Sequence, residues 1–266
     1  MADPIRVFVG TEPKTQVAYK VLAHSIRAHT TRPVDITPMV GPAWEYPTDG
    51  IKVGTGFSLR RWMIPNACGW KGYAVYLDAD QQVFGDVGQL YDLGVDLLGR
   101  PVSGPATLAY TWQKDKYYPR PAPQTSVMVI DCEQAQKHRR FDIAQVLAFL
   151  KGASKLDYIQ FMHNDGRMGA ASFSGPLPTE WNHLNVYEEG KTKLLHYTKE
   201  PEQPWYKPDH PLAYLWKQAL SAALKAGAVT RGELNDALAK WGTKQDWRPT
   251  NGLHPAYKKW VKEAVA

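Results

Sequence analysis

The chain is poor in cysteine, with Cys68 and Cys132 alone among 266 residues. Two thiols cannot build a disulfide framework at this length, and their scarcity points to a reducing compartment. No apolar run is long enough to span a bilayer, and no basic-then-apolar leader follows Met1. The expectation is therefore a cytoplasmic protein. A Gly-x-Gly-x-x-Gly after a strand and a Gly-Lys-Ser/Thr phosphate loop are both missing, so dinucleotide folds and phosphate-loop nucleotidases have little support. Recognition-helix, zinc-finger and ribonucleoprotein motifs are missing too, and the basic residues are dispersed, which argues against a nucleic-acid partner. No internal repeat or low-complexity segment interrupts the chain.

What is present suits a large α/β domain with a sizeable core: 44% hydrophobic residues and 22% charged ones. The net charge of +6 favours an anionic ligand or surface. It is unevenly placed, since residues 225–266 hold eight Lys/Arg against four Asp/Glu and so carry +4 of it. Ile5–Gly10 reads as a first strand that turns off through Gly10-Thr11-Glu12-Pro13. A helix follows with Ala18, Val21, Leu22 and Ser25 on one face, and Val34–Thr37 forms a second strand. Strand, helix, strand is the opening of an open nucleotide-binding sheet.

The most informative stretch is Gly72–Asp80, GYAVYLDAD. A buried apolar strand ends there in two carboxylates, which no interior accepts without partners. Side chains two apart share one face of an extended chain, so Asp78 and Asp80 can reach one hard cation; a solvated turn is the plain alternative. Just upstream, Phe57–Asn66 reads as a short helix stopped by Pro65 and carrying Arg60 and Arg61. Leu108–Pro123, polar, aromatic and punctuated by prolines, reads as a long loop in which Trp112, Tyr117 and Tyr118 could stack on a sugar or pack inward. Val127–Asp131 is a further strand, and Ile143, Val146, Leu147 and Leu150 mark a helix face. Periodicity leaves Leu156–Met162 and Gly175–Asn185 open. Leu194–Tyr197 is an apolar run containing His196, and the segments after Gly227 read as a short basic helical extension, giving an expected division into 1–226 and 227–266.

Taken in order, these pieces resemble the retaining glycosyltransferases of family 8 type, in a divergent, bacterial-like branch. The resemblance rests on the small-residue turn after the first strand, the Arg-x-x-x-Pro helix, the strand with Asp-x-Asp, LPTEWN and a late His-Tyr…Pro-Trp, and spans roughly Ile5 to Leu224. It implies a GT-A type open mixed sheet flanked by helices, a nucleoside-diphosphate sugar donor (UDP-linked), and Mn²⁺ or Mg²⁺. It implies a metal set of Asp78, Asp80 and His196, and donor contacts at Gly10, Thr11, Glu12, Arg61, Asp78, Gln124 and Lys199. Asp157, Gln160 and Arg61 fall at the reaction face. Glycan, lipid-linked and protein acceptors all fit, with peripheral membrane contact through the last helix as an option. The pattern also departs from the family. Gln203 stands at the phosphate-binding lysine, so that Lys199 is the candidate substitute. Gln124 stands at an asparagine, and Tyr158 at a glutamine for which Gln160 could serve. Asp-x-Asp at a strand end also marks haloacid-dehalogenase-type phosphatases, although Gln82 occupies the position where they need Thr or Val. A non-catalytic nucleotide- or carbohydrate-binding protein is the other alternative.

Overall fold

The structure, a computed structural model, describes residues 3–48, 50–51, 54–100, 108–114, 120–163, 168, 173–241 and 252–264. Its strands are β1 Ile5–Gly10, β2 Val34–Pro38, β3 Tyr73–Asp78, β4 Gln81–Val83, β5 Leu108–Gln113, β6 Ala122–Asp131, β7 Phe173–Leu177, β8 His183–Leu184 and β9 Leu194–His196. The helices are α1 Gln16–His29, α2 Ile64–Ala67, α3 Val87–Leu98, α4 Cys132–Ala135, α5 Ile143–Leu150, α6 Lys155–Met162, α7 Ala213–Lys225, α8 Arg231–Ala239 and α9 Tyr257–Ala264. These elements fall into two compact units, and the chain passes from the first to the second between Asp78 and Ala79.

The first unit holds a six-stranded sheet in the order β2-β1-β3-β6-β5-β7. β1 runs parallel to β2 and β3, whereas β6 is antiparallel to β3 and β5, so the sheet is mixed. Ala74–Asp78 of β3 are all buried, as a central strand covered on both faces requires. Helix α3 packs close against β6 because Gly94 has no side chain: a Cβ there would lie 2.3 Å from a Val129 methyl. Phe8, Trp62, Tyr76, Tyr110, Met128, Phe141 and Phe161 belong to one apolar cluster. Arg140 is fully buried within it, its guanidinium 4.3 Å from the Phe161 ring centre and 5.0 Å from that of Trp62.

Leu108–Pro123 is not the long loop its composition suggests. Leu108–Gln113 is a strand, and Ala122 already begins β6; only 115–119, with Tyr117 and Tyr118, lie outside the described residues. Leu108 to Thr111 are buried between β6 and β7, and that burial overrides the turn signal of Pro119, Pro121 and Pro123. A register shift between Tyr110 and Thr111 lets Pro123 lie opposite Trp112 without breaking the sheet.

The second unit holds the three-stranded sheet β4-β9-β8, with α1, α7, α8 and α9. Its apolar cluster is aromatic: Tyr197, Trp205, Tyr206, Trp216 and Tyr257 join Val21, Leu215, Leu220, Leu234 and Leu238. Residues on both sides of Gly227 contribute to it. Tyr257 of α9 is buried and donates from its hydroxyl to the Pro204 carbonyl at 2.8 Å. No described helix is long and apolar enough to cross a membrane.

Candidate functional site

Asp78 is the last residue of β3 and pairs in register with Gly10 of β1. Only glycine fits at that partner position, because a Cβ would sit 2.3 Å from the Tyr76 hydroxyl and 2.6 Å from the Phe57 ring. Asp78 is 8% exposed, and a carboxylate so deep needs donors. Arg61 Nη2 donates to Asp78 Oδ1 at 3.0 Å, and the Tyr76 hydroxyl donates to the same oxygen. Arg61 is itself fixed, by Nε to the Ser58 carbonyl at 3.0 Å, by Nη1 to Thr125 Oγ1 at 3.1 Å, and by its plane 4.5 Å from the Tyr76 ring centre. Tyr158 lies in the same field. Burial pushes its phenol up, and Arg61 draws it partly back.

The other reaction-face candidates belong to this unit. Asp157 is the third residue of α6 and completes a capping box, its Oδ2 accepting from the Ser154 amide at 3.0 Å and hydroxyl at 2.7 Å. Gln160 has a buried Oε1 that accepts no hydrogen bond. Gln124 is buried and donates to the Gln113 carbonyl at 3.1 Å. Trp112 is 41% exposed.

Asp80, two residues beyond Asp78, is placed by the second unit's own pairing. Gln81 lies opposite His196 in the antiparallel β4–β9 ladder, and the Tyr197 amide donates to the Asp80 carbonyl at 2.9 Å. Asp80 Oδ2 accepts from Gln203 Nε2 at 2.8 Å. Its Oδ1 is buried and accepts no hydrogen bond, although His196 Nε2 is 3.2 Å away. Ring nitrogen and oxygen are thus close but not aligned as donor and acceptor, which suits two ligands converging on a third atom. Asp80 and His196, both in the second unit, each offer a ligand atom within 4.8 Å of the other.

Also in the second unit, Thr11 is fully buried and its hydroxyl lies 3.0 Å from that of Thr15. The Glu12 carboxylate is 3.4 Å from Lys14 Nζ, which also meets Glu200 at 2.5 Å. Tyr206 is buried, and its phenol is pushed up by burial and by the negative field of Glu200, Glu12 and Asp80. Lys199 is half exposed and pairs with Glu202 at 3.4 Å. Sequence reasoning missed Tyr76, Thr125 and the Gln203–Asp80 contact. A tyrosine inside an apolar strand reads as core, and nothing in a sequence says which carboxylate a distant amide will meet.

Among curated proteins, the chain is 25% identical over 234 residues to Protein CDI of Arabidopsis thaliana, covering 80% of this chain and 85% of that protein. Among solved structures it is similar to the bifunctional glycosyltransferase WbbM, with a TM-score of 0.58 at 14% identity over 88% of this chain. It spans only 51% of WbbM. It is equally similar to the galactosyltransferase LgtC, crystallised with donor and acceptor sugar analogues, with a TM-score of 0.58 at 12% identity over 85% of this chain and all of that one. The fold is that of the GT-A glycosyltransferases. No protein-family model matches the chain.

Proposed function

We propose that the chain is a metal-dependent glycosyltransferase that moves a sugar from a nucleoside diphosphate, UDP-linked, to an acceptor hydroxyl with retention. The observation that carries this reading is the Asp80–His196 pair, in which a buried Asp80 oxygen has no hydrogen-bond donor; Asp78, two residues earlier, is assigned as the third ligand. A buried acceptor left without a donor calls for a ligand, and hard oxygens with one imidazole suit Mn²⁺ or Mg²⁺. Bound there, the cation would stabilise negative charge developing on the departing diphosphate.

The chain's own residues would hold and orient the donor. Gly10, Thr11 and Glu12 follow β1 and would receive base and ribose. Arg61 is a positioning residue here, pairing with Asp78 and fixing one of its oxygens. The exposed Lys199–Glu202 pair is worth little, so Lys199 is free to turn to a phosphate. Gln124, Asp157 and Gln160 are assigned to the sugar, and the unpartnered Gln160 Oε1 would accept from a sugar hydroxyl. The exposed Trp112 ring would offer a stacking face for a glycan, lipid-linked or protein-borne acceptor. The aromatic side of α9 is already used in protein packing through Tyr257, which favours docking of that helix over membrane contact. A cytoplasmic location fits the two free thiols.

The test is a panel of nucleotide-sugars assayed by calorimetry and for slow hydrolysis, with Mn²⁺ and with a chelator. A UDP-sugar should bind and turn over only with metal, and Asp80→Asn should weaken both. Phosphate-ester hydrolysis by the first aspartate without sugar transfer would favour the phosphatase alternative. Metal-dependent binding without turnover on any acceptor or water would favour a non-catalytic binder.

A further inference from the structure

In the site just proposed, one ligand is held by a side chain outside the ligand set. Gln203 is 5% exposed, and its Nε2 donates to two acceptors, Asp80 Oδ2 at 2.8 Å and the Tyr197 carbonyl at 2.9 Å. Those two acceptors fix the amide's orientation, because the flipped amide would set its oxygen against both. The Tyr197 carbonyl is an immobile anchor: its residue follows β9 directly, is buried, and its own amide donates to Asp80. Gln203 in turn opens the Gln203–Trp205 segment that enters the aromatic cluster. The amide is therefore rigid at both ends.

We infer that Gln203 is a positioning residue for the metal: it occupies Asp80 Oδ2 and thereby directs Oδ1, the oxygen beside His196, to the cation. The inference rests on the metal-site reading above. Its physical content is a division of labour between the two oxygens of one carboxylate. A neutral donor on Oδ2 orients the group and leaves its charge available on Oδ1. A lysine at this position would place a full positive charge where the amide stands, within 3 Å of Asp80 Oδ2, and would compete with a divalent ion for that carboxylate. Partners that orient metal ligands in this way change metal affinity by about 10–100-fold when removed.

The experiment measures Mn²⁺ binding to the metal-free full chain, without nucleotide, from the free-ion electron paramagnetic resonance signal. The proteins are wild type, Gln203→Met, Asp80→Asn and the double variant. Gln203→Met keeps the side chain's length and removes both donated bonds. The expected result is a loss of Mn²⁺ affinity of about 10-fold or more in Gln203→Met. In the Asp80→Asn background the same substitution should then have no further effect, because the amide acts through Asp80. Equal affinity in wild type and Gln203→Met overturns the inference and leaves the metal site standing. An equal loss in both backgrounds also overturns it, by showing a general structural effect. A wild type that takes up no Mn²⁺ overturns the metal-site reading and the inference together. Thermal unfolding of the metal-free proteins guards the comparison, with Gln203→Glu as a second variant that retains the bulk but cannot donate when ionised.

Discussion

Asp78 and Asp80 are the same residue two positions apart, yet their company differs in kind. Asp78 ends the first unit's central strand and accepts on one oxygen from the Arg61 guanidinium and the Tyr76 hydroxyl. Asp80 belongs to the second unit and has a neutral amide on one oxygen and no donor on the other. A permanent cation makes Asp78 part of its unit's framework, so its charge is compensated whether or not a ligand arrives. Asp80 has no such compensation, which makes it the more responsive of the two to a cation. One carboxylate is built in and the other is kept available.

The contrast is broken most directly by neutralising each in turn. Asp78→Asn leaves Arg61 buried with its charge unmatched, and breaking a buried pair in this way costs about 3–5 kcal/mol. Asp80→Asn removes no compensating cation and should cost about 1 kcal/mol or less. Urea unfolding of the metal-free variants reads the difference directly. Similar midpoints for the two would show that Arg61 and Tyr76 do not anchor Asp78 as described. Both variants should weaken Mn²⁺ binding without abolishing it, since the Asn carbonyl is still an oxygen donor, so stability separates them where metal affinity does not.

A second test enlarges the residue behind Asp78. Gly10→Ala would push a methyl against the Tyr76 hydroxyl and the Phe57 ring, at 2.3 and 2.6 Å, and overpacking of this kind costs about 1–3 kcal/mol. Because Tyr76 is a donor to Asp78, the substitution should also weaken Mn²⁺ binding. Unchanged stability together with unchanged affinity would mean that the close packing around Gly10 is not what sets Asp78.

The same contrast between a cation and an amide recurs at two helix caps, where pH and salt can read it. In the second unit Glu233 is held below the usual carboxylate range first by Lys20 and then by the Thr230 amide. In the first, Asp142 is held down first by the Gln145 side chain and then by backbone amides. Both folded values are depressed, so both groups add stability that is complete above their unfolded values. That stability is lost as pH falls from near 4 through the folded values. Glu233→Gln and Asp142→Asn should each flatten the acid limb of the unfolding curve. Raising NaCl to about 0.5 M should shrink the Glu233 effect, which depends on a charge, and leave most of the Asp142 effect. Equal salt sensitivity at the two caps would remove the distinction.

How much of this was legible beforehand follows the same physics. The strand ending in Asp78-Ala79-Asp80 could be read directly, since two carboxylates after a buried run have few places to go. His196 could be read only by resemblance, because what brings it to Asp80 is the Gln81–His196 ladder pairing, and strand pairing is a long-range outcome. Leu108–Gln113 was misread because prolines downstream mask a strand whose burial comes from neighbours on either side. Gln203 could be seen to be out of pattern, but the meaning of the change depended on where its amide points. Local signals fixed elements and turns; partners distant in sequence fixed roles.

The smallest expected effect concerns Lys199. Its ammonium is half exposed and held by Glu202 alone among described ion pairs, at 3.4 Å. Exposed pairs of this type contribute well under 1 kcal/mol, so Lys199→Met should leave stability unchanged. If the lysine turns to the diphosphate, its loss should weaken UDP binding about threefold to fivefold, the equivalent of roughly 1 kcal/mol. Uridine, which has no phosphate, should bind as before. The effect should fade with added salt, because a mobile surface cation acts mainly through its charge. Equal weakening for UDP and uridine would place Lys199 in the shape of the site and not on the phosphates. No weakening for either would leave the diphosphate to the proposed cation alone.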